Sequence, residues 1–67
     1  MSECPLSAAE MRILVFLSNG MEHKDIAAEL DRSEMTITRH VRSSFQKTGT
    51  FNRHGLVAMA LRKGWIE

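Results

Sequence analysis

The chain lacks several features on which small proteins rely for stability. Cys4 is its one cysteine, so no disulfide forms within the chain, which fits a reducing compartment. No apolar run is long enough to span a bilayer, and the N-terminus has no signal-peptide pattern. A fold of 67 residues without disulfides needs well-packed helices, a metal or a partner subunit. We therefore expect one soluble domain in the cytoplasm, with no membrane partner.

The chain also lacks the residue patterns of common catalytic and metal sites. It has no paired acids, no glycine pattern that cradles a phosphate, and no base at a sensible spacing from Ser43 and Ser44. The potential metal ligands are few and match no zinc pattern: Cys4, His23, His40 and His54. We predict that the chain is not an enzyme and that it binds no metal and no cofactor.

Charge is distributed unevenly along the chain. Residues 1–31 carry two cationic and six acidic side chains, a net charge of −4, whereas residues 32–67 carry seven cationic and two acidic ones, a net charge of +5. The overall charge of +1 conceals this contrast. A basic half of this kind indicates a surface for an anionic partner, although a chance division of a short chain gives the same pattern.

Helix signals divide the chain into four segments. Ser7 and Glu10 form a capping-box pattern ahead of an apolar stripe, and Asn19-Gly20 ends that stripe. Ser33 is a natural N-cap for a later helix. Strand-like alternation and internal repeats are absent from the sequence. We predict a single all-α, four-helix domain over residues 1–67, with helices at about 8–18, 23–30, 34–48 and 54–63.

The second and third predicted helices, joined by a short turn, have the arrangement of a helix-turn-helix motif at 23–48. In such a motif the second helix enters the major groove with its N-terminal half at the base edges. Ile37, Val41 and Phe45 lie four apart on one face of that helix, so Arg39 and Arg42 face away from the core. Arginine donates two hydrogen bonds to guanine. The helix suits DNA recognition, although any cation-rich amphipathic helix looks similar.

A series of short motifs runs without a gap from Leu6 to Ile66. It comprises Leu6-Ser7, Glu10, Gly20, Lys24-Asp25-Ile26-Ala27, Leu30, Ser33, Thr36-Ile37-Thr38, His40, Lys47, Gly49, Arg53, Val57, Ala60 and Gly64-Trp65-Ile66. In this order and spacing the chain resembles the LuxR/GerE-type helix-turn-helix domain. Each match alone is weak, whereas the ungapped series over nearly the whole chain is specific.

The resemblance implies a sequence-specific transcriptional regulator that binds double-stranded DNA as a homodimer. The third helix would lie in the major groove, and helix 54–63 would supply the dimer contact. Three residues align with base-reading positions: Thr38, Arg39 and Arg42. The residues expected to contact the DNA backbone are Lys24, Ser33, Thr36, His40 and Lys47. Those expected at the dimer interface are Leu56, Met59, Ala60 and Lys63.

Three threonines depart from the family pattern. Thr38 stands where the family usually has lysine, which removes one cation from the recognition surface. Thr48 and Thr50 replace apolar residues that pack inward, and a buried hydroxyl without a partner costs about 1–3 kcal/mol. We expect either that Phe45 and Phe51 repack this corner or that the corner is locally weak.

Two further alternatives stay open on the sequence. Many family members carry an N-terminal receiver or ligand-binding domain that this chain does not contain, so we expect a stand-alone regulator or an excised domain. The start Met1-Ser2-Glu3 favours a complete small protein. The second alternative is a protein-interaction module, which would bind or antagonise another regulator through helix 54–63 and bind DNA weakly or not at all. DNA binding should weaken steeply with salt, whereas an apolar helix contact should tolerate it.

Overall fold

The fold consists of four α-helices in a computed structural model that describes residues 4–67. They are α1 (Ala8–Ser18), α2 (His23–Leu30), α3 (Glu34–Thr48) and α4 (Arg53–Lys63). The predicted all-α, four-helix architecture is therefore confirmed, and the start Met1–Glu3 lies outside the described residues. None of the helices in residues 4–67 has the length and apolar character to cross a bilayer.

Side-chain caps mark the starts of α1, α3 and α4. At the start of α1, Ser7 Oγ accepts a hydrogen bond from the Glu10 N–H at 3.1 Å, and Glu10 Oε1 accepts one from the Ser7 N–H at 2.8 Å. This reciprocal pair is the predicted capping box. The predicted start of α4 at His54 is one residue late, because Asn52 caps the helix by accepting from the Gly55 N–H at 2.8 Å.

The core lies where α3 packs against the other three helices, with α1 also against α4. Each helix contributes one of the largest fully buried side chains, which are Leu14, Ile26, Ile37 and Leu56. Burial of an aliphatic side chain of this size stabilises a fold by about 1.5–3 kcal/mol. The central position of α3 leaves one of its sides for solvent or a partner, and the buried residues decide which side that is.

The turn between α2 and α3 is three residues long, Asp31–Ser33. Asp31 ends α2 in the left-handed region, with φ at 54°, a conformation that aspartate tolerates better than most residues. The Arg32 N–H then donates to the Ala27 carbonyl at 2.9 Å, and Ser33 caps α3 by accepting from the Thr36 N–H at 3.1 Å. The predicted helix-turn-helix arrangement of α2 and α3 is thus present.

At the corner after α3 the threonine hydroxyls have local hydrogen-bond partners, and of the two phenylalanines only Phe45 packs inward. Thr48 Oγ1 donates to the Ser44 carbonyl at 2.7 Å and lies 2.8 Å from Thr50 Oγ1, so these hydroxyls are satisfied locally. Phe51 is 93% exposed and repacks nothing, whereas Phe45 is half-buried against the core. The expected penalty of an unpaired buried hydroxyl is therefore wrong at Thr48, because the backbone carbonyl one turn earlier lies within reach.

Candidate nucleic-acid interface

The solvent side of α3 carries the three residues predicted to read bases. Arg39 and Arg42 are exposed, and Thr38 is half-buried beside them. Ile37 and Val41 alternate with these positions and are buried, which turns the arginines away from the core. Within residues 4–67 neither arginine takes part in an ion pair. Their guanidinium groups, with donors in a fixed fork, therefore remain available to an acceptor outside the protein.

Thr38 has a partner that the sequence analysis missed. Its Oγ1 atom lies 3.2 Å from Nδ1 of His23, which is the first residue of α2. Fifteen positions separate the two residues, so no local pattern signals the contact. The packing of α2 on α3 brings them together, and the half-buried ring covers one side of the Thr38 hydroxyl.

The start of α3 combines hydroxyl groups with helix-end amides. Ser33 Oγ lies 2.8 Å from Thr36 Oγ1, in addition to its bond from the Thr36 N–H. The first amides of a helix have no intrahelical acceptor, and together with the helix dipole they attract an anion such as phosphate. Lys24 is exposed nearby, in a surface depression that it shares with Glu22, His23 and Glu34.

A cationic cavity of about 230 Å³ lies between α1, the turn and α3. Its polar lining comes from Arg12, Arg32, Thr36 and His40. His40 and Thr36 were predicted as backbone contacts, whereas Arg12 and Arg32 were missed. Arg12 lies within the half of the chain whose net charge is negative, so the charge count along the sequence concealed its position. The four side chains together suit an oxyanion.

Lys47 does not lie with the other predicted backbone contacts. Its Nζ is 2.8 Å from Glu10 Oε1, which belongs to a carboxylate that is almost completely buried at the start of α1. Burial disfavours the charged form of Glu10, but hydrogen bonds from Lys47, Ser7 and Ser43 and the Lys47 charge outweigh it and lower the Glu10 pKa to about 2. The Lys47 ammonium group thus neutralises a buried carboxylate, and its contact with the DNA backbone stays a prediction.

The residues predicted for the dimer interface divide into two groups on α4. Leu56 and Ala60 are 0% exposed and belong to the core. They have no surface to offer a second subunit, so their assignment to the interface is corrected. Met59 is half-buried and Lys63 is exposed, and Leu61 is a further apolar residue of α4 that is 51% exposed. An apolar stripe in the sequence of a helix does not show whether those residues are buried in the core of the same chain or against a partner.

Arg53 attaches the start of α4 to the loop before α2. Its Nη2 donates to the Met21 carbonyl, and its Nη1 lies 3.8 Å from Glu22 Oε1. The side chain is 29% exposed, so this contact is partly shielded from water. As a result α4 and the helix-turn-helix motif keep a fixed relation. Within the described chain, residues 4–67, no cluster of His, Cys, Asp or Glu side chains has the geometry of a metal site.

Comparison with known proteins finds similar sequences that make up part of longer chains. The GerE profile, described as bacterial regulatory proteins of the luxR family, matches residues 4–60. The chain is 40% identical over 58 residues to the response regulator Rre1 of Synechocystis sp., which covers 87% of this chain and 25% of that protein. It is 36% identical over 56 residues to the HTH-type transcriptional regulator MalT of Klebsiella pneumoniae, 84% of this chain and 6% of that one.

A solved structure gives the same result. The crystal structure of the response regulator ChrA of a heme-sensing two-component system matches with a TM-score of 0.88 at 32% identity, over 98% of this chain and 33% of that one. The chain thus spans a third or less of the length of each of these three relatives.

Proposed function

The chain belongs to the luxR family of bacterial regulatory proteins, and we propose that it regulates transcription by binding a specific double-stranded DNA sequence as a homodimer. α3 lies in the major groove in this proposal, and the protein acts in the cytoplasm, where its DNA is. The family is one of regulatory proteins, which agrees with the prediction that the chain is not an enzyme.

The observation that carries the proposal is the pair of exposed arginines on α3. Arg39 and Arg42 face outward, form no ion pair within residues 4–67 and flank the same helix face as Thr38. A guanidinium fork matches the O6 and N7 acceptors of guanine, and a threonine hydroxyl matches several base edges. We assign base contacts to these three residues.

The DNA backbone contacts surround this face. Ser33 and Thr36 at the start of α3, Lys24 on α2 and His40 beside the cationic cavity supply donors on both sides of the recognition helix. Arg12 and Arg32 extend the same cationic surface. Phosphate contacts of this kind position a protein on the duplex without reading the sequence.

The homodimer part of the proposal is supported by the exposed side of α4. The half-buried Met59 gives it an apolar group, and Lys63 lies one turn further along the same face. Two-fold symmetric binding would place two copies of α3 in successive major grooves. Met59→Glu should shift the protein toward monomer in sedimentation equilibrium, because a charge opposes burial in an apolar contact. An unchanged mass for Met59→Glu would remove α4 from the dimer contact. Met35→Glu, an exposed methionine on α3 at 68%, is the matched control.

A protein-interaction function is the second candidate, and one exposed aromatic favours it. Phe51 is 93% exposed beside the half-buried Phe45, with Arg42 and Gln46 on the same shallow depression. Contiguous exposed apolar surface is typical of a contact site for another protein, and Phe51 with Phe45 provides a small one. In this alternative another regulator binds, and affinity for DNA is weak.

Selection from a random duplex pool, with sequencing at two salt concentrations, tests the proposal. We expect enrichment of a two-fold symmetric motif whose binding weakens steeply with salt, because contacts to phosphates release counterions. The Arg39→Ala, Arg42→Ala double variant should lose the motif and keep its fold. Failure to enrich any sequence, with weak salt-insensitive binding, would favour the protein-interaction function.

A further inference from the structure

The geometry points to His23 as a specificity-determining residue that acts through Thr38, by setting whether the Thr38 hydroxyl donates or accepts a hydrogen bond at a base edge. The observation is the 3.2 Å contact between His23 Nδ1 and Thr38 Oγ1, which joins α2 to α3. The inference rests on the proposed function, because it requires Thr38 to lie at the DNA. His23 itself need not touch a base.

The chemistry follows from the hydrogen-bond capacity of the two groups. A hydroxyl has one proton and two lone pairs, and each nitrogen of neutral imidazole either carries a proton or accepts one, according to the tautomer. When Nδ1 accepts, the Thr38 hydroxyl donates its only proton to His23 and can offer a base only its lone pairs. When Nδ1 carries a proton, Thr38 accepts from His23 and its own proton is free for the DNA.

Protonation of the ring removes one of these two arrangements. In the imidazolium form both ring nitrogens are donors, so Nδ1 can only donate to Thr38. The proton of the Thr38 hydroxyl is then always free to be donated to a base. In the major groove guanine presents only acceptors, N7 and O6, whereas cytosine presents a donor at N4. Protonated His23 should therefore favour guanine over cytosine at the base that Thr38 contacts.

The charged groups around His23 come from three elements. Glu22 and Lys24 flank it in sequence, and Glu34 at the start of α3 shares the same surface depression. Arg53 of α4 reaches Glu22 at 3.8 Å. Among residues 4–67 none of these groups forms an ion pair with the His23 ring. Within the described residues, the Thr38 hydroxyl is thus the side-chain group that lies within hydrogen-bond distance of the ring.

The test measures base preference at two pH values. The motif selected from the pool is mutated to each base pair at every position, and binding of the intact chain is measured at about pH 8 and about pH 5.5, across the range in which histidines change charge. We expect one symmetric pair of positions at which the ratio of guanine to cytosine binding rises by about two- to tenfold on acidification, which is the factor that one hydrogen bond supplies. Protonation also adds a positive charge that raises affinity for every duplex. The ratio of guanine to cytosine binding at one position is unaffected by this general gain.

Three variants identify the residue responsible. His23→Gln keeps a donor and an acceptor but does not titrate, so the ratio should no longer depend on pH. Thr38→Val removes the hydroxyl and should abolish the same dependence. His54→Gln, at an exposed histidine on α4, is the matched control and should leave the dependence as it is. Circular dichroism checks that each variant is folded.

A second readout needs no DNA. The ring ¹⁵N shifts of His23 report which nitrogen carries the proton, and Thr38→Val should change the ratio of the two neutral tautomers. Unchanged ring shifts in Thr38→Val would overturn the inference even if a variant bound DNA poorly.

The outcomes separate this inference from the function on which it rests. A selected motif whose base ratios are the same at both pH values would overturn the role of His23 and leave the DNA-binding proposal standing. A dependence that persists in His23→Gln would also overturn it. If no motif is selected at all, the proposed function fails, and the inference fails with it.

Discussion

The two ends of α3 carry similar polar side chains and use them in opposite ways. Over residues 33–42 Arg39 and Arg42 are exposed and have no ion-pair partner within residues 4–67. Over residues 43–50 Lys47 pairs with Glu10, and the Thr48 hydroxyl donates to a backbone carbonyl. The N-terminal part of α3 has hydrogen-bond donors available for a partner, whereas the polar groups at its C-terminal end are bonded within the protein.

Residue type alone does not decide whether a cationic side chain is available to DNA. Cationic side chains occur at both ends of α3, and a count of charge treats them alike. What differs is the surroundings: Arg39 and Arg42 face solvent, whereas Lys47 faces a buried carboxylate on α1. Substitutions at the two ends of α3 can therefore test this difference, because one set should change stability and the other DNA binding.

The largest effect is expected from loss of the internal partner at the second end. The pKa of Glu10 is lowered from 4.5 to about 2, which corresponds to a stabilisation of about 3 kcal/mol by its carboxylate. Since the Lys47 side chain is 40% exposed, water screens part of the ion pair, and we expect Glu10→Ala to lower the free energy of unfolding by about 2–3 kcal/mol. Urea denaturation measures this loss.

Glu10→Gln is the matched control for that loss. Glutamine also closes a capping box, so it keeps the bond from the Ser7 N–H and should lose roughly half as much stability. The pH dependence has a definite sign. Because the folded-state pKa lies below the ordinary value, the stabilisation is complete above about pH 4.5 and is lost as the pH falls toward 2. A Glu10→Gln variant with the same acid sensitivity as the unmodified protein would contradict the assignment.

The next effect concerns the exposed end of α3. Arg42→Ala should weaken binding to the selected DNA by about 1–3 kcal/mol and relax base choice at one position, because a bidentate contact to guanine is lost. Stability should hardly change, since the side chain makes no ion pair within the described residues. Titration of matched and mismatched duplexes gives the measurement. Arg62→Ala, an exposed arginine on α4, is the control.

Equal weakening of Arg42→Ala on all sequences would turn Arg42 into a contact to phosphate and shift base reading to Arg39 and Thr38. Loss of stability on a scale like that of Glu10→Ala would break the comparison itself, because the two ends of α3 would then serve the same purpose.

The smallest effect is expected at the cap of α3. Ser33→Ala should lower the free energy of unfolding by about 1 kcal/mol, because the Thr36 N–H loses its acceptor at the helix start. Ser33→Gly should cost only a few tenths of a kcal/mol, since glycine lets water reach the amide. Thermal denaturation of the two variants side by side checks this order. If Ser33→Ala were neutral, the cap would not hold the start of α3.

Local signals in the sequence predicted the helices well. The capping box of Ser7 and Glu10 and the cap at Ser33 act between neighbours three residues apart, which a linear sequence displays directly. One boundary differed: α4 begins at Arg53 rather than at His54, because Asn52 caps the helix. The helix-turn-helix arrangement followed from these elements and from the short turn.

Contacts between distant residues were beyond the reach of the sequence. Glu10 and Lys47 are 37 positions apart, and His23 and Thr38 are 15 apart. Each pair depends on the angle at which two helices pack, which no local pattern specifies. The same limit applies to α4, where Leu56 and Ala60 are buried in the core and Met59 is only half-buried. Periodicity identifies an apolar face but not the molecule that covers it.

The Glu10 carboxylate has a consequence for the motions of the domain. One oxygen, Oε1, accepts from the Ser7 N–H at the first turn of α1 and from Lys47 Nζ near the last turn of α3, each at 2.8 Å. Because fraying of either helix end would expose the same buried charge, we expect the two ends to open together as one cooperative unit. Amide protons at these two sites, remote in sequence, would then exchange with solvent through one opening event, and α3 would unravel from its C-terminal end only when α1 does.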